Sequence, residues 1–129
     1  MDIHSRNKAT ISTFRSVLYD FNRGQLSRVV KELFEPGCAV HLANPFEDLD
    51  GPGALLDQAF FPLADAMPDL ERRDTIVIAG SALGQDWVGC GGYYTGLFER
   101  PWLKIPPTRH QISLRFHEFY RMEEGRVIE

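Results

Sequence analysis

Between Ile112 and Glu123 the sequence ISLRFHEFYRME alternates so regularly that it favours one local structure. Successive side chains on a β-strand point to opposite faces. Ile112, Leu114, Phe116, Glu118, Tyr120 and Met122 therefore share one face, and Ser113, Arg115, His117, Phe119, Arg121 and Glu123 the other. The first face is apolar except for Glu118. An acid among apolar neighbours has to be paired, neutralised or solvated in a cavity. Pro106-Pro107 makes a turn before this run, Glu124-Gly125 supplies turn chemistry after it, and Arg126 to Glu129 starts a return strand. A hairpin with two unlike faces is how a small sheet builds one wall of a pocket.

Upstream, Ile11, Phe14, Val17, Leu18 and Phe21 recur at helical spacing and predict an amphipathic helix from about Lys8 to Asp20. Asn22-Arg23-Gly24 ends it, with Gly24 as the expected C-cap. A second helix is predicted from about Gln25 to Phe34, then a break at Glu35-Pro36-Gly37 and a strand from Cys38 to Asn44. A Pro, Asp and Gly-rich loop leads to a third helix, about Pro52 to Ala66, which Pro62 is expected to kink or break. Strands follow at Leu70 to Ala79 and Trp87 to Tyr94, with Gly80 to Asp86 between them. Gly89, Gly91 and Gly92 leave the middle strand poor in side chains, a sign of strong curvature or close approach of another backbone. Helices first and long strands afterwards predict an α+β fold with an antiparallel sheet wrapped round the helices.

At 129 residues the chain fits one domain able to bury its own core. The net charge of −4, with Arg residues scattered, argues against nucleic acid or an anionic membrane as the partner. No apolar run approaches the ~20 residues that span a bilayer, and charges throughout the first thirty residues argue against a signal peptide. The expected location is cytoplasmic. Cys38 and Cys90 have neither metal-ligand spacing nor the density of a secreted scaffold, and are expected to be reduced structural thiols. No phosphate loop, zinc-protease motif or nucleophile elbow is present; Gly89 to Gly92 lacks the Lys and following helix of a nucleotide loop.

The element order carries further signals: MPDL at Met67 to Leu70, a Trp-Val strand, Tyr94-Thr95-Gly96, IPPT at Ile105 to Thr108 and the ending HEFYRMEEGRVIE. Together these resemble the SnoaL-like polyketide cyclases of the NTF2-like superfamily, over nearly the whole chain. The resemblance implies an NTF2-like conical barrel: a curved antiparallel sheet around three N-terminal helices, an internal cavity, and a homodimer packed through the sheet's outer face. Family cyclases close an aromatic polyketide methyl ester by an intramolecular aldol reaction without metal or cofactor. Their general acid/base is an aspartate just past the position of Glu129, so the given sequence is expected to be a piece of a longer chain or a member lacking that chemistry. Arg100-Pro101-Trp102 reads as extra sequence at the pocket mouth, with Phe98 and Trp102 as lid or dimer-contact residues.

Glu118 is the catalytic candidate. A carboxylate in a dry cavity is suited to draw a proton from a carbon next to a carbonyl, and its position matches a pocket histidine of the cyclases the chain resembles. The alternative is an internal ion pair with an Arg or a hydrogen bond with a tyrosine hydroxyl. His117, on the opposite parity, reads as a surface or dimer-interface residue unless a bulge intervenes. Asn44 is a candidate substrate-binding residue that could orient a carbonyl, or else a turn-forming asparagine. His41, three residues away, ranks lower. Trp87, Tyr94, Phe116 and Tyr120 offer the area for an aromatic or terpenoid-like ligand, although such residues also build cores.

Two functions remain open on this reading. One is a cofactor-independent cyclase or isomerase acting on a small hydrophobic carbonyl compound, and the other a non-catalytic domain that binds a small apolar ligand or serves in dimerisation. A third, scaffolding, predicts an exposed apolar sheet face and no cavity.

Overall fold

The computed structural model describes residues 2–129. Helix α1 spans Ile3–Asp20 and starts earlier than apolar periodicity predicts, because the Asp2 carboxylate caps it by accepting the Ser5 N–H at 2.8 Å. Its buried stripe, Ile11, Phe14 and Leu18, is fully removed from solvent. The helix ends on Phe21 in the left-handed region (φ 50°), not on Gly24. The reason lies one residue on: Asn22 accepts the Gln25 N–H at 3.0 Å and starts helix α2, Arg23–Leu33, so Gly24 is already inside it. The Phe21 ring packs edge-on to Phe60 and Tyr94.

The expected strand from Cys38 to Asn44 reduces to β1, Val40–His41, paired with β2, Asp48–Leu49, around a loop in which the Asn44–Pro45 peptide is cis. The third helical stretch is an α-helical turn, α3 (Gly51–Ala54), a π-helical segment (Leu55–Phe60) and α4 (Phe61–Ala66). Proline has no N–H and its ring would collide with the carbonyl four residues back in a regular helix. The chain meets that constraint by widening just before Pro62: the Phe61 N–H bonds to the Leu56 carbonyl, five residues back. The widening brings residues five apart, Leu55 and Phe60, towards the same side.

Three long strands follow, β3 (Glu71–Ala82), β4 (Gln85–Leu97) and β5 (Gln111–Glu123), then a short β6 (Arg126–Val127). They form one antiparallel sheet in the order β3-β4-β5-β6, open rather than closed into a ring. Leu83-Gly84 and Glu124-Gly125, all with positive φ, make the two tight hairpin turns. The bulge at Asp74/Ile76 lies opposite Gly92, where a Cβ would come within 1.9 Å of the Arg73 carbonyl oxygen. Only glycine fits that backbone approach.

The alternation in β5 is as the sequence predicts: Phe116, Tyr120 and Met122 are buried against the helices while Arg115, His117 and Phe119 face outward. In β4 the inward set is Val88, Cys90 and Tyr94, in register with Tyr120, Glu118 and Leu114. Phe98 is buried and Trp102 packs against the core through a small Trp102–Ile105 turn, so neither projects as a lid. No described helix is long and apolar enough to cross a membrane.

Candidate functional site

Glu118 points to the inner face and meets a buried cation. Arg72, whose side chain is 0% exposed, donates from Nη1 to Glu118 Oε1 at 2.9 Å and from Nη2 to Oε2 at 2.8 Å. The Tyr120 hydroxyl adds a 2.5 Å bond to Oε2. Both alternatives that the sequence leaves open for Glu118, an arginine and a tyrosine, are therefore realised together. The guanidinium also bonds to the Tyr94 hydroxyl (Nη1, 2.6 Å) and to Asp74 Oδ1 (Nη2, 2.9 Å), and lies 4.0 Å over the Phe116 ring. Behind it, Asp74 Oδ2 accepts from Arg15 Nε at 3.1 Å and from the Tyr19 hydroxyl at 2.8 Å. Two cations and two carboxylates thus balance inside the fold, which is the condition for burying charge at all.

The electrostatics follow from that pairing. Burial alone would favour neutral Arg72, but hydrogen bonding and charge from Glu118 outweigh it and hold the guanidinium firmly cationic. Burial would likewise push the Asp74 carboxyl up, and the hydrogen bonds from Arg72, Tyr19 and Arg15 reverse this and hold it below the usual carboxylate range. Tyr120 and Tyr94 are pushed well above the ordinary phenol value, first by burial and then by the charge of Glu118. Both keep their phenolic proton at neutral pH, and Tyr120 donates it to Glu118. Burial, with Glu118 adding, pushes the Cys90 thiol up to about 11, and Cys38 is also raised by burial, so neither cysteine is a ready nucleophile.

Beside Glu118 lies a cavity of about 300 Å³. Much of its wall is apolar, from Phe34, Val40, Leu42, Leu55 and Phe60, with Leu55 and Phe60 supplied by the π-helical segment. Glu118 and Tyr120 enter from the inner face of β5. Outward-facing Trp87, His117 and Phe119 also line the cavity.

Of the residues singled out from sequence, Glu118 and Tyr120 are brought together at the cavity. Tyr94 and Phe116 are not in its lining: both are buried in the core, where they pack against each other and hold Arg72. Trp87 stands on the outer face, opposite Gly80 and Arg121, and is among the residues that line the cavity. Asn44 is exposed in the loop after β1 and does not line the cavity, because the strand that was to carry it there stops at His41. His41 does line it, contrary to its low rank. Arg72 and Asp74 were missed because Glu71-Arg72-Arg73-Asp74 reads as a solvated strand start; the available signal was Glu118 itself, which needs a cation on a neighbouring strand. Among the described residues no cluster of His, Cys, Asp and Glu is arranged to hold a metal ion.

No family model matches the sequence, and no curated protein does. Solved structures do match. A proposed SnoaL-like polyketide cyclase from Jannaschia sp. CCS1 is 22% identical and superposes with a TM-score of 0.80 over 99% of this chain and 84% of that one. AclR, a proposed hydroxylase from Streptomyces galilaeus, is 16% identical with a TM-score of 0.76 over 97% and 75% of the two chains. IdmH, a proposed polyketide cyclase from Streptomyces antibioticus, is 16% identical with a TM-score of 0.71 over 95% and 86%. At these identities the likeness establishes architecture: the chain has the α+β fold of the SnoaL-like and NTF2-like proteins, a curved sheet wrapped round helices.

Proposed function

We propose that the protein is a cofactor-independent cyclase or isomerase that moves a proton at a carbon next to a carbonyl in a small hydrophobic compound. The observation that carries this reading is a carboxylate and a phenol, Glu118 and Tyr120, placed side by side in a cavity whose wall is mostly apolar. A carboxylate has about four lone-pair positions. Arg72 takes one on each oxygen and Tyr120 one on Oε2, leaving Oε1 an acceptor for a guest. With its side chain 19% exposed and lining the cavity, Glu118 can take the proton. Tyr120, kept protonated, can turn its O–H to the substrate oxygen and stabilise the enolate, and the Arg72 cation offsets the charge that develops.

A second reading, a non-catalytic pocket for an apolar ligand, is favoured by one feature: the bidentate Arg72 clamp satisfies much of Glu118's bonding capacity, as in a purely structural ion pair. The two separate on a simple carbon acid. With 2-tetralone in D₂O, followed by proton NMR, catalysis predicts protein-accelerated exchange of the α-protons that falls at least ~10-fold in Glu118→Gln. Binding without acceleration supports the second reading. The outer face, where Ile76, Ile78 and Phe119 are exposed, is proposed to pack against a second copy of the chain.

A further inference from the structure

The cavity is also lined by charged groups that proton transfer at Glu118 does not use. His41 stands in β1 directly opposite Asp48 in β2, and its Nδ1 lies 2.8 Å from Asp48 Oδ1. Its Nε2 leaves the hairpin and reaches Glu129 Oε2 at 3.1 Å. The other oxygen of Glu129 accepts from Arg121 Nε at 2.9 Å, and backbone bonds from Arg121 to residues 128 and 129 fix that segment to β5. His41 and Glu129 both line the cavity, one from β1 and one from the segment bonded to Arg121 of β5, so the contact between them ties two parts of the cavity wall together.

Carboxylates on both ring nitrogens require two donors, and only the imidazolium has two. A neutral ring that keeps Nδ1–H on Asp48 turns a lone pair towards Glu129, and the contact becomes repulsive. We propose that the His41–Glu129 pair is a pH-operated latch between two parts of the cavity wall, closed while the ring is cationic and released when it loses its proton, so that ligand exchange quickens as pH rises. The hydrogen bond to Asp48, with a smaller contribution from Glu129, holds His41 above the ordinary imidazole value of 6.5. Arg121 sits behind Glu129, the Cys38 thiol feels Glu129, Arg121 and Glu35, and His117 and Glu118 face the same cavity from β5. Because the raised group is a base that gains a partner, the latch is fully formed below 6.5 and is lost as pH climbs through the higher folded-state value.

The test uses the whole chain and a neutral apolar fluorophore, N-phenyl-1-naphthylamine, with its dissociation followed by stopped flow from pH 5.5 to 9 while the His41 ring is titrated by NMR. The latch predicts a wild-type dissociation rate that rises roughly two- to fivefold, the range available to an exposed ion pair, in step with the His41 titration. Glu129→Gln should be fast at every pH with His41 titrating lower, and His110→Asn, away from the cavity, should keep the wild-type profile. A flat wild-type profile with the probe bound, an unchanged profile in Glu129→Gln, or His41 titrating at 6.5 would overturn the latch. If the probe fails to bind at any pH, the cavity reading of the preceding section falls. Amide exchange of residues 38–49 at pH 6 then decides the latch alone: faster exchange in Glu129→Gln supports it and equal exchange refutes it.

Discussion

Arg72 and Glu118 are joined across the inner face of the sheet by two parallel hydrogen bonds of 2.9 and 2.8 Å, although they lie on strands separated by β4. Arg72 is in register with Tyr94 and Leu114, four residues along from Glu118. The long side chain runs diagonally beneath β4, over the Phe116 ring, to reach the carboxylate. One ion pair therefore fixes the β3 side of the sheet to β5 and holds the cavity's carboxylate in place.

Removing the cation strands two acids. Arg72→Met leaves Glu118 and Asp74 without their shared partner, and the expected loss is about 3–5 kcal/mol of unfolding free energy, read by urea denaturation. Adding Glu118→Gln recovers part of it, with a coupling of at least ~1 kcal/mol in the double-mutant cycle. Strictly additive losses would show that the two side chains do not interact.

Acid stability depends on Asp74. Its folded-state pKa lies below 3.8, so its contribution is complete above pH 3.8 and is lost as pH falls through the lower folded value. Asp74→Asn is expected to be less stable than wild type near neutrality by roughly 2 kcal/mol, the scale of hydrogen bonds to a charged group. Thermal melts at descending pH should show the two proteins converging. A gap that stays constant down to pH 2 would contradict the pairing.

Gly92 tolerates no side chain. A Cβ at 1.9 Å from the Arg73 carbonyl oxygen meets backbone rather than a movable side-chain end. Gly92→Ala should destabilise by about 4 kcal/mol or more, at the far end of single-substitution effects. Near-normal stability in Gly92→Ala would mean that β3 and β4 are not bulged together as described.

The outer face makes a prediction about assembly. Ile76, Ile78 and Phe119 are each more than half exposed, and Gly89 and Gly91 leave the strand beneath them flat. Sedimentation should find a dimer for the wild type and a monomer for Phe119→Glu. A wild-type monomer at high concentration would remove the proposed contact.

Period-two patterning made β5 legible because one of its faces is apolar and the other is not; the same cue placed Glu118 inward and His117 outward. The turn chemistry of Glu124-Gly125 was equally plain. Other features depended on partners that sequence does not display. Helix α1 begins early because Asp2 caps it, and Phe21 takes the strained terminal position because Asn22 is already committed to the next helix. Pro62 announced an irregularity, but a π-helical turn rather than a break resulted. The least legible part was the site. Aromatic residues read as ligand contacts, Tyr94 and Phe116, hold Arg72 instead, while the cavity wall comes from Val40, Leu55 and Phe60, which read only as ordinary apolar residues. Strand parity turns His41 away from the face of Asn44, but that rule needs a longer strand than Val40–His41.

Where a guest sits decides whether Glu118 can act on it. Intermolecular NOEs between 2-tetralone and the methyl groups of the labelled protein locate it directly. The structure predicts contacts to Val40 and Leu55, with shifts at the Tyr120 ring. Contacts confined to Ile76 and Ile78 on the outer face, or none at saturating probe, would contradict a ligand held beside Glu118.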